Sequence, residues 1–444
     1  MASTYLSRTP ASAGNRKTWT FSTWFKRTNV SAQHCLLNQT DSGNANIMTL
    51  QITSSGTLEM WDYHTSGFNY NLTSNRLFRD TNAFYHLVAK VDTTQATSSD
   101  RIKLYINGVQ ETSFSTETYP SQNFDCNINE ADPQNIGAYV TSSAGSYFDG
   151  IMTHTHFIDG TAYDASAFGE YDANGVWKIK TSPSVTYGTN GFFILKDGNS
   201  VTDQSGNSNN FTVAGGTLTN TEDSPSNVFA TLNPLDGLPS GSGGGSSVVY
   251  SNGNTRSDSR NGSGEYPLCR ANIFVNSGKW YWEAKVDTSG IGIGAGVMSA
   301  DANGGDFRGG EWVYGAGFSG HSSGTGFEKY DNSGSITISD VSNSGGVIGY
   351  ALDLDNGTHS IYLNGVLEGT DTTLPSDNSV YFFPVSVGTF SGGNSWSPIS
   401  FNFGNGYFGT TAVSTPGTNA SGNGIFEYDV PTGYTALSTK GLNL

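Results

Sequence analysis

One short motif in this sequence carries a nucleophilic serine in other proteins. The segment GHSSG fits the pattern G-x-S-x-G, in which a sharp strand-to-helix turn exposes the serine above an α/β sheet. Here Ser322 lies in a Gly- and Ser-rich stretch without helical patterning around it. We therefore interpret the match as a chance product of composition and predict no serine nucleophile.

Two histidines have a spacing that could begin a metal site. His154 and His156 are separated by one residue, so on a strand both imidazoles would point to the same side. A zinc site needs a third ligand and a supporting second shell, whereas Met152 and Ile158 would share that side. The pattern favours a half-buried strand, and we predict no metal site and no cofactor. A single structural calcium in the first half stays open, since no dense Asp loop is present to decide it.

Two aromatic stretches contain the residue types that sugars require. Sugar rings stack their C–H faces on aromatic side chains, while their hydroxyls need hydrogen-bond partners. The segment MWDYHTSGFNYN contains Trp61 and Tyr63, and GGEWVYGAGF contains Trp312 and Tyr314. These four residues are the ligand-binding candidates. In both stretches, however, we favour the simpler interpretation that they are alternate residues of a core strand.

Composition decides which elements can position these residues. Of the 444 residues, 35% are hydrophobic, only 13% are charged and 57 are glycine. Ser, Thr, Asn and Gly replace the Leu, Ala, Lys and Glu that long helices need, which indicates an all-β protein. The length exceeds one comfortable core and indicates two domains of about 200 residues each.

Charge and cysteine content exclude several partners. The net charge is −17, with 13 basic and 18 acidic residues in 1–220 and 8 and 20 in 221–444. No basic run is present, so we expect no nucleic-acid partner and no anionic membrane surface. Cys35, Cys126 and Cys269 form neither a disulfide framework nor a zinc pattern. We find no signal-peptide or membrane-spanning pattern, and expect folding in a cytosol without membrane insertion.

Period-two alternation recurs along the chain and predicts strands that bury one face. KWYWEAKVD and FYHLVAKVD are the clearest cases. The predicted buried faces are Trp280, Trp282, Ala284 and Val286 in the first segment, and Tyr85, Leu87, Ala89 and Val91 in the second. Tyr281, Glu283 and Lys285 are expected on the opposite face.

The phrase Asn-Gly-Val occurs once in each half, in IKLYINGVQ and HSIYLNGVL. Asn-Gly accepts two positive φ angles and favours a tight type I′ hairpin turn. Each copy follows a strand that ends in aspartate, Asp92 or Asp355. Little else is shared, so we interpret the repeat as one hairpin solution used in two sandwiches.

The domain border is expected in the polar segment 220–227, NTEDSPSN. The Gly/Ser run 238–247 is then a long loop of the second domain, or alternatively the linker itself. The predicted architecture is two β-sandwich (jelly-roll) domains in tandem, over residues 1–222 and 227–444.

Five segments of the second half resemble the SPRY domain. They are, in chain order, KWYWEAKV, VIGYALDLDNGTHSIYLNGV, YFFPVSV, ISFNFG and VPTGYTALST. The resemblance implies a bent β-sandwich over residues 227–444 whose variable loops bind partners, usually proteins. It implies no catalytic activity.

The first half resembles a concanavalin A-like lectin or laminin-G-like jelly roll. The supporting segments are TWTFSTWFKRT, FYHLVAKVDTT, IKLYINGV and FDGIMTHTHFIDGTAYDASAFGEYD. A lectin-like sandwich without a signal peptide, followed by SPRY, resembles structural proteins of tailed bacteriophages, especially marine ones.

Because concanavalin-like folds include glucanases, hydrolysis needs a test. Such retaining enzymes place two carboxylates of a Glu-x-Asp-x-x-Glu strand across one sugar bond. The nearest segment, NEADPQN, has Glu130 and Asp132, but Asn135 replaces the second glutamate and Pro133 would interrupt a strand. We predict no enzyme of this type.

The sequence therefore predicts a non-enzymatic virion surface protein of a tailed bacteriophage, either a head decoration or knob or a fibre component. It would assemble in the host cytoplasm and lie on the particle exterior. Its partners would be other virion proteins and a host-surface glycan or protein. The alternative is a cellular carbohydrate-binding or adhesion protein; a third hypothesis, an unusual glycosidase, would depend on Glu130 or Asp132.

Overall fold

The computed structural model shows two compact units built from strands. Strands make up 46% of the structure and helices 3%, which confirms the predicted all-β fold class. The first unit comprises Met1–Asn220 with Ser224–Ser226, and the second comprises Thr221–Asp223 with Asn227–Leu444. The described residues are 3–196, 198, 200–238, 247–260, 268–286, 294–299, 346–372, 374, 376, 378–379, 381–387 and 398–443.

Two antiparallel sheets form the body of the first unit. Its strands are β1 (Tyr5–Arg8), β2 (Thr18–Arg27), β3 (His34–Thr40), β4 (Asn46–Ile52), β5 (Thr57–His64), β6 (Gly67–Leu77), β7 (Tyr85–Asp92), β8 (Ile102–Ile106), β9 (Val109–Gln110), β10 (Phe114–Thr118), β11 (Gln134–Ile136), β12 (Tyr139–Val140), β13 (Ala144–Gly145), β14 (Gly150–Asp159), β15 (Gly169–Tyr171), β16 (Trp177–Ile179), β17 (Phe192–Ile194) and β18 (Thr212–Gly215). One sheet has eight strands in the order β10-β6-β5-β4-β3-β11-β1-β18, and the other has six in the order β17-β14-β2-β7-β8-β9. The pairs β12–β13 and β15–β16 are small separate hairpins. The arrangement is a jelly-roll sandwich.

Alternate apolar side chains of both sheets meet between them and form the core of the first unit. On β7, Leu87, Ala89 and Val91 are fully buried in this core, and Tyr85 packs at its border, as the alternation predicts. Trp19 and Phe157 stack in the centre with ring centroids 5.8 Å apart. Because each strand contributes every second residue, its other residues are left for the outer faces of the sandwich.

The second unit also consists of two main sheets. Its strands are β19 (Leu232–Leu238), β20 (Ser247–Ser251), β21 (Arg256–Arg260), β22 (Leu268–Ala271), β23 (Lys279–Val286), β24 (Gly294–Ser299), β25 (Val347–Asp353), β26 (Thr358–Leu363), β27 (Val366–Asp371), β28 (Phe382–Val387), β29 (Ile399–Asn402), β30 (Tyr407–Phe408), β31 (Thr411–Ala412) and β32 (Thr435–Ala436). The sheet orders are β19-β22-β28-β24 and β20-β21-β29-β23-β25-β26-β27, with β32 parallel beside β23. The helices of the described residues are the 3-10 turns Ser98–Asp100, Ala165–Ala167 and Gly441–Asn443, and none is long enough to cross a bilayer.

Strand β23 is buried on both faces. Trp280, Trp282 and Ala284 lie in the core as predicted, and Trp282 stacks on Tyr350 at 5.5 Å. Tyr281 and Glu283, expected on an outer face, are also buried. Since Phe426 packs edge-on against Tyr281, the C-terminal segment covers the face that alternation alone would leave to solvent.

Both Asn-Gly turns have the predicted type I′ geometry. The φ angles are 50° and 82° at Asn107 and Gly108, and 48° and 81° at Asn364 and Gly365. Asn107 extends the ladder, since its N–H donates to the carbonyl of His86 and its Oδ1 accepts the N–H of His86.

The second turn repeats this device. Asn364 forms the same two bonds with Val347. In each turn the glycine faces an aromatic ring, because an added Cβ would lie 2.5 Å from Trp177 at Gly108 and 2.6 Å from Tyr428 at Gly365. Positive φ and contact with a ring together explain why glycine occupies both positions.

We expect Gly108→Ala to destabilise the first unit by about 2–4 kcal/mol, because it adds left-handed strain to a clash with Trp177. The matched control is Gly175→Ala, where φ is 77° and no atom lies within 4 Å of an added Cβ. The control should lose only about 1 kcal/mol. Urea unfolding of both variants measures the difference, and equal losses would contradict the assigned contact.

Candidate functional site

The outer face of the eight-stranded sheet carries a line of partly exposed aromatic side chains. On β5 the side chains of Leu58 and Met60 enter the core, whereas Glu59, Trp61 and Tyr63 point outward and are partly exposed. The interpretation of Trp61 and Tyr63 as core residues is therefore wrong. The physical reason is that the core takes the other set of alternate positions on this strand.

Strand register decides what surrounds these residues. Residues directly opposite each other in antiparallel strands share a face and have neighbouring side chains. The outward rows across β4, β5 and β6 are Gln51–Glu59–Thr73, Thr49–Trp61–Asn71 and Ile47–Tyr63–Phe68. On this outer face the β4 side chains of Ile47, Thr49 and Gln51 are buried, whereas the aromatic and polar side chains of β5 and β6 are at least partly exposed.

Four rings form what we call the outer aromatic face: Trp61, Tyr63, Phe68 and Tyr139. Phe68 is 57% exposed, and its ring centroid lies 5.8 Å from Trp61 and 5.5 Å from Tyr63, with both contacts edge-on. Tyr139, on the β12–β13 hairpin, lies 6.1 Å from Trp61 on its other side. The sequence did not indicate Phe68 or Tyr139, since neither lies on the strand of Trp61.

A polar row borders the outer aromatic face. Gln33 Nε2 donates to Gln51 Oε1 at 2.7 Å, and Gln51 Nε2 donates to Glu59 Oε2 at 2.6 Å. Thr73 Oγ1 lies 3.2 Å from Asn71 Oδ1 and 3.5 Å from Glu59 Oε1. Amide, carboxylate and hydroxyl groups are thus held in fixed orientations beside exposed rings, which is the combination that binds sugars.

One carboxylate lies directly beneath this face. The side chain of Asp62, between Trp61 and Tyr63, points inward and is fully buried. Its Oδ2 accepts the backbone N–H of Asn127 at 2.7 Å, and its Oδ1 accepts the side-chain amides of Asn127 and Asn69, each at 2.8 Å. Burial raises the pKa of Asp62 to about 7, while these hydrogen bonds oppose the rise.

The carboxylates considered for hydrolysis do not form a catalytic pair. Glu130 forms an ion pair with Arg16, and the carbonyl oxygens of Glu130 and Asp132 both accept from Gln39 Nε2. Their segment therefore has a structural role. Glu59 and Asp62 lie on one strand but point to opposite faces, so they cannot flank one glycosidic bond.

A bulge separates the two histidines of β14. The register with β2 shifts between Thr153 and His156, and His154 has a φ of 48°. His156 is buried, stacks on Phe193 at 4.0 Å and hydrogen-bonds to the hydroxyl of Tyr187 at 3.0 Å. Burial lowers its pKa well below the usual range. Among the described residues, no group of three potential metal ligands is present.

Ser22 and His86 form a pair that resembles a nucleophile and its base. Ser22 Oγ lies 2.9 Å from His86 Nε2, and both residues are fully buried. Trp177 Nε1 donates to His86 Nδ1 at 3.0 Å, and burial lowers the pKa of His86 to about 3. The neutral ring must therefore carry its proton on Nε2 and donate to Ser22. In this tautomer His86 cannot activate the serine.

In the second unit, the candidates Trp312 and Tyr314, together with Ser322, lie outside the described residues. A different aromatic group is exposed on this unit. Phe274 is 51% and Tyr381 44% exposed, and their rings are 5.4 Å apart. Phe383 lies 4.9 Å from Phe274 and carries the guanidinium of Arg270 at 5.1 Å from its ring centroid. Alternation could not identify this group, because two stretches of the chain that are far apart in sequence, 270–274 and 381–383, contribute to it.

Within the second unit, Glu283 hydrogen-bonds strand β23 to the C-terminal segment. Its carboxylate accepts the backbone N–H groups of Glu427 and Tyr428, each at 2.9 Å, and the side-chain amide of Asn402 at 3.2 Å. Burial raises the pKa of Glu283 to about 7 against these bonds. An interior carboxylate of this kind satisfies backbone groups that have no strand partner.

Comparison with known proteins agrees with the architecture of the first unit. Residues 2–165 match the family model of the concanavalin A-like lectin/glucanases superfamily, so this unit has a concanavalin-like jelly-roll fold. A search of curated proteins found no match. The identification of the second unit as a SPRY domain stays a prediction.

Several solved structures show partial likeness to the chain. The SPRY domain of human HERC1 is 20% identical, with 38% of this chain and 96% of that chain covered and a TM-score of 0.28. A native heptameric SAP-like pentraxin from Limulus polyphemus is 14% identical, with 36% and 71% covered and a TM-score of 0.28. The TRIM65 PSpry domain is 14% identical, with 39% and 88% covered and a TM-score of 0.30.

The raised pKa of Glu283 predicts a pH-dependent stability of the second unit. Between about pH 4.5 and 7 the folded state holds a proton that the unfolded state has lost, so the contribution is full below pH 4.5 and is lost as pH rises through 7. We expect a loss on the order of 3 kcal/mol across this window. Glu283→Gln should flatten that part of the profile in denaturant unfolding at pH 5 and pH 8. An unchanged slope would contradict the assignment.

Proposed function

We propose that this chain is a non-enzymatic binding protein whose first unit binds carbohydrate on the outer aromatic face. The observation that carries the proposal is the group of four partly exposed rings beside a hydrogen-bonded polar row, on the outer face of the eight-stranded sheet. The exposure of aromatic side chains to water is unfavourable, so a contiguous exposed group of them commonly marks a surface that a ligand covers. A lectin-like fold is one that binds glycans or proteins, and this surface favours glycans.

The chemistry of the face favours an uncharged glycan. Trp61 and Tyr63 offer ring faces to sugar C–H groups, and the partly exposed Asn71 and Thr73 offer donors and acceptors to hydroxyls. The carboxylate of Glu59 would repel a uronate or sialate beside it. The acidic balance of residues 1–220, 13 basic against 18 acidic, acts in the same direction.

The second unit has the features of a protein-contacting surface. Tyr and Arg are over-represented among the residues that contribute most to protein interfaces, and Tyr381 and Arg270 lie within the exposed aromatic group of this unit. We assign this group to contact with a partner protein. The proposal thus gives the two units different tasks, glycan binding in the first and protein binding in the second.

We propose that the chain is a surface protein of a tailed-phage particle, either a head decoration or a fibre component. It would be assembled in the host cytoplasm. The combination of a lectin-like jelly roll with a SPRY-like half supports it. Cys35, Cys126 and Cys269 are buried thiols, which suits folding in a reducing cytosol. A cellular carbohydrate-binding or adhesion protein is the alternative, and it would use the same face.

Trp61→Ala should weaken binding to the strongest neutral glycan on an array about 30-fold, equivalent to roughly 2 kcal/mol, because it removes the central stacking ring. The affinities are measured by calorimetry on the full chain. The matched control is Phe274→Ala, which removes an exposed ring of the other unit and should leave glycan affinity unchanged. Equal binding by the Trp61 variant and the wild type would rule out the outer aromatic face as the site.

A virion role predicts that the chain is present on purified phage particles. Gold-labelled antibody should mark the particle exterior, at the head surface or on a fibre, in electron micrographs. Particles incubated with an unrelated antibody are the control. Absence from particles, combined with release of the protein by uninfected cells, would favour the cellular adhesion protein instead.

A further inference from the structure

The outer face of the eight-stranded sheet continues beyond β6 onto the edge strand β10. In the register of these strands, Asn71 on β6 lies opposite both Trp61 on β5 and Thr118 on β10. Residues opposite each other in antiparallel strands share a sheet face, so all three side chains lie on the outer face. Asn71 is partly exposed and Thr118 is exposed. We call these three residues, together with Tyr139, the Trp61 row.

Tyr139 extends the row in the opposite direction. Its hairpin contacts β3, because the N–H of Val140 donates to Asn38 Oδ1 at 3.1 Å, and β3 lies on the side of β5 that is away from β6. The ring centroid of Tyr139 is 6.1 Å from that of Trp61. Since two strand spacings separate Trp61 from Thr118, the whole row is roughly 15 Å long. A single sugar ring covers only part of this length.

The two sides of this row differ in chemistry. On one side lie Glu59, Thr73 and the exposed Thr116, which is opposite Thr73 in the strand register. On the other side lie the rings of Tyr63 and Phe68. A sugar that stacks in the row would direct the hydroxyls of one edge to carboxylate and hydroxyl groups, and its other edge to rings. The row therefore fixes how a bound sugar is oriented.

The β10 end of the row lies at the rim of the sheet. β10 is the edge strand, so among the described strands none of this sheet lies beyond Thr118. Residues 115–118 of β10 are exposed. A pocket for a terminal sugar is concave and encloses its ligand, whereas a chain that reaches Thr118 can continue past it into solvent.

We propose that the Trp61 row binds an internal stretch of about three sugars in an extended, β-1,4-linked neutral polysaccharide, because that length fills the row. The inference rests on the proposed glycan function and adds the class of glycan. Tyr139 and Trp61 stack on sugar rings, and Asn71 and Thr118 hydrogen-bond the sugar at the rim. An extended chain contacts the whole row, whereas the helical chain of an α-1,4-linked glucan contacts only part of it.

The first arm of the test is a series of oligosaccharides of increasing length. Calorimetry on the full chain measures cello-, manno- and xylo-oligosaccharides from dimer to hexamer, with malto-oligosaccharides as the helical control. In the β-1,4 series that binds best, affinity should rise about tenfold from dimer to tetramer and then stay level, because the added sugars gain the contacts at Asn71 and Thr118. Equal affinity for dimer and hexamer overturns the inference, and so does equal affinity for maltohexaose.

The second arm changes the rim end of the row. Thr118→Val keeps the branched shape of the side chain but removes its hydroxyl, so it should weaken hexamer binding roughly fivefold and leave the dimer, which stacks on Trp61 and Tyr139, unchanged. The matched control is Thr212→Val on β18, the exposed edge strand at the other end of the same sheet, which should bind every oligomer like the wild type. An equal loss for dimer and hexamer, or no loss for the hexamer, overturns the role of Thr118.

These outcomes separate the inference from the proposed function. Binding of a single terminal sugar that Trp61→Ala weakens, with no gain from longer chains, leaves the proposed function in place and overturns the extended chain. Binding on the glycan array without binding to any of the β-1,4 series does the same. No binding to these oligosaccharides and none on the array rejects both.

Discussion

The burial of every second side chain between two sheets is the constraint on which the first unit depends. On β5 it assigns Leu58 and Met60 to the core, and this assignment sends Trp61 and Tyr63 outward. The core between the sheets takes only the residues of the inner face, and the rings on the outer face pack against one another and stay partly exposed. The proposed site is thus a direct consequence of strand periodicity, once the phase of that periodicity is known.

A second constraint comes from the irregular segments that close each sandwich. A sheet satisfies its own backbone groups, but a segment that crosses it has none of those partners. Both units use a buried carboxylate for this purpose: Asp62 accepts from the Asn127 segment, and Glu283 from the Glu427–Tyr428 segment. Burial raises the pKa of both groups to about 7. The buried carboxylates that close the two sandwiches therefore make the stability of each unit depend on pH near neutrality.

The carboxylates of Glu59 and Asp62 do not have the arrangement that retaining hydrolysis uses. Retaining hydrolysis needs two carboxyl groups on the same face at about 5.5 Å, whereas Glu59 and Asp62 lie on opposite faces of one strand. Ser22 and His86 are close enough to react but hold the proton on the wrong atom. These groups with catalytic residue types form structural hydrogen bonds, and we assign recognition to the partly exposed polar side chains beside the outer aromatic face.

The sequence by itself determined the all-β class, the alternation of β7 and the two type I′ turns, because these depend on residues close together in the chain. Tertiary structure decided which face of β5 enters the core, since a strand alone cannot show the phase of its burial. It also covered Tyr281 and Glu283 with the distant C-terminal segment and brought Tyr139 and Phe68 to Trp61. These contacts join residues that are far apart in sequence or on neighbouring strands, and only sheet register and packing between layers bring them together.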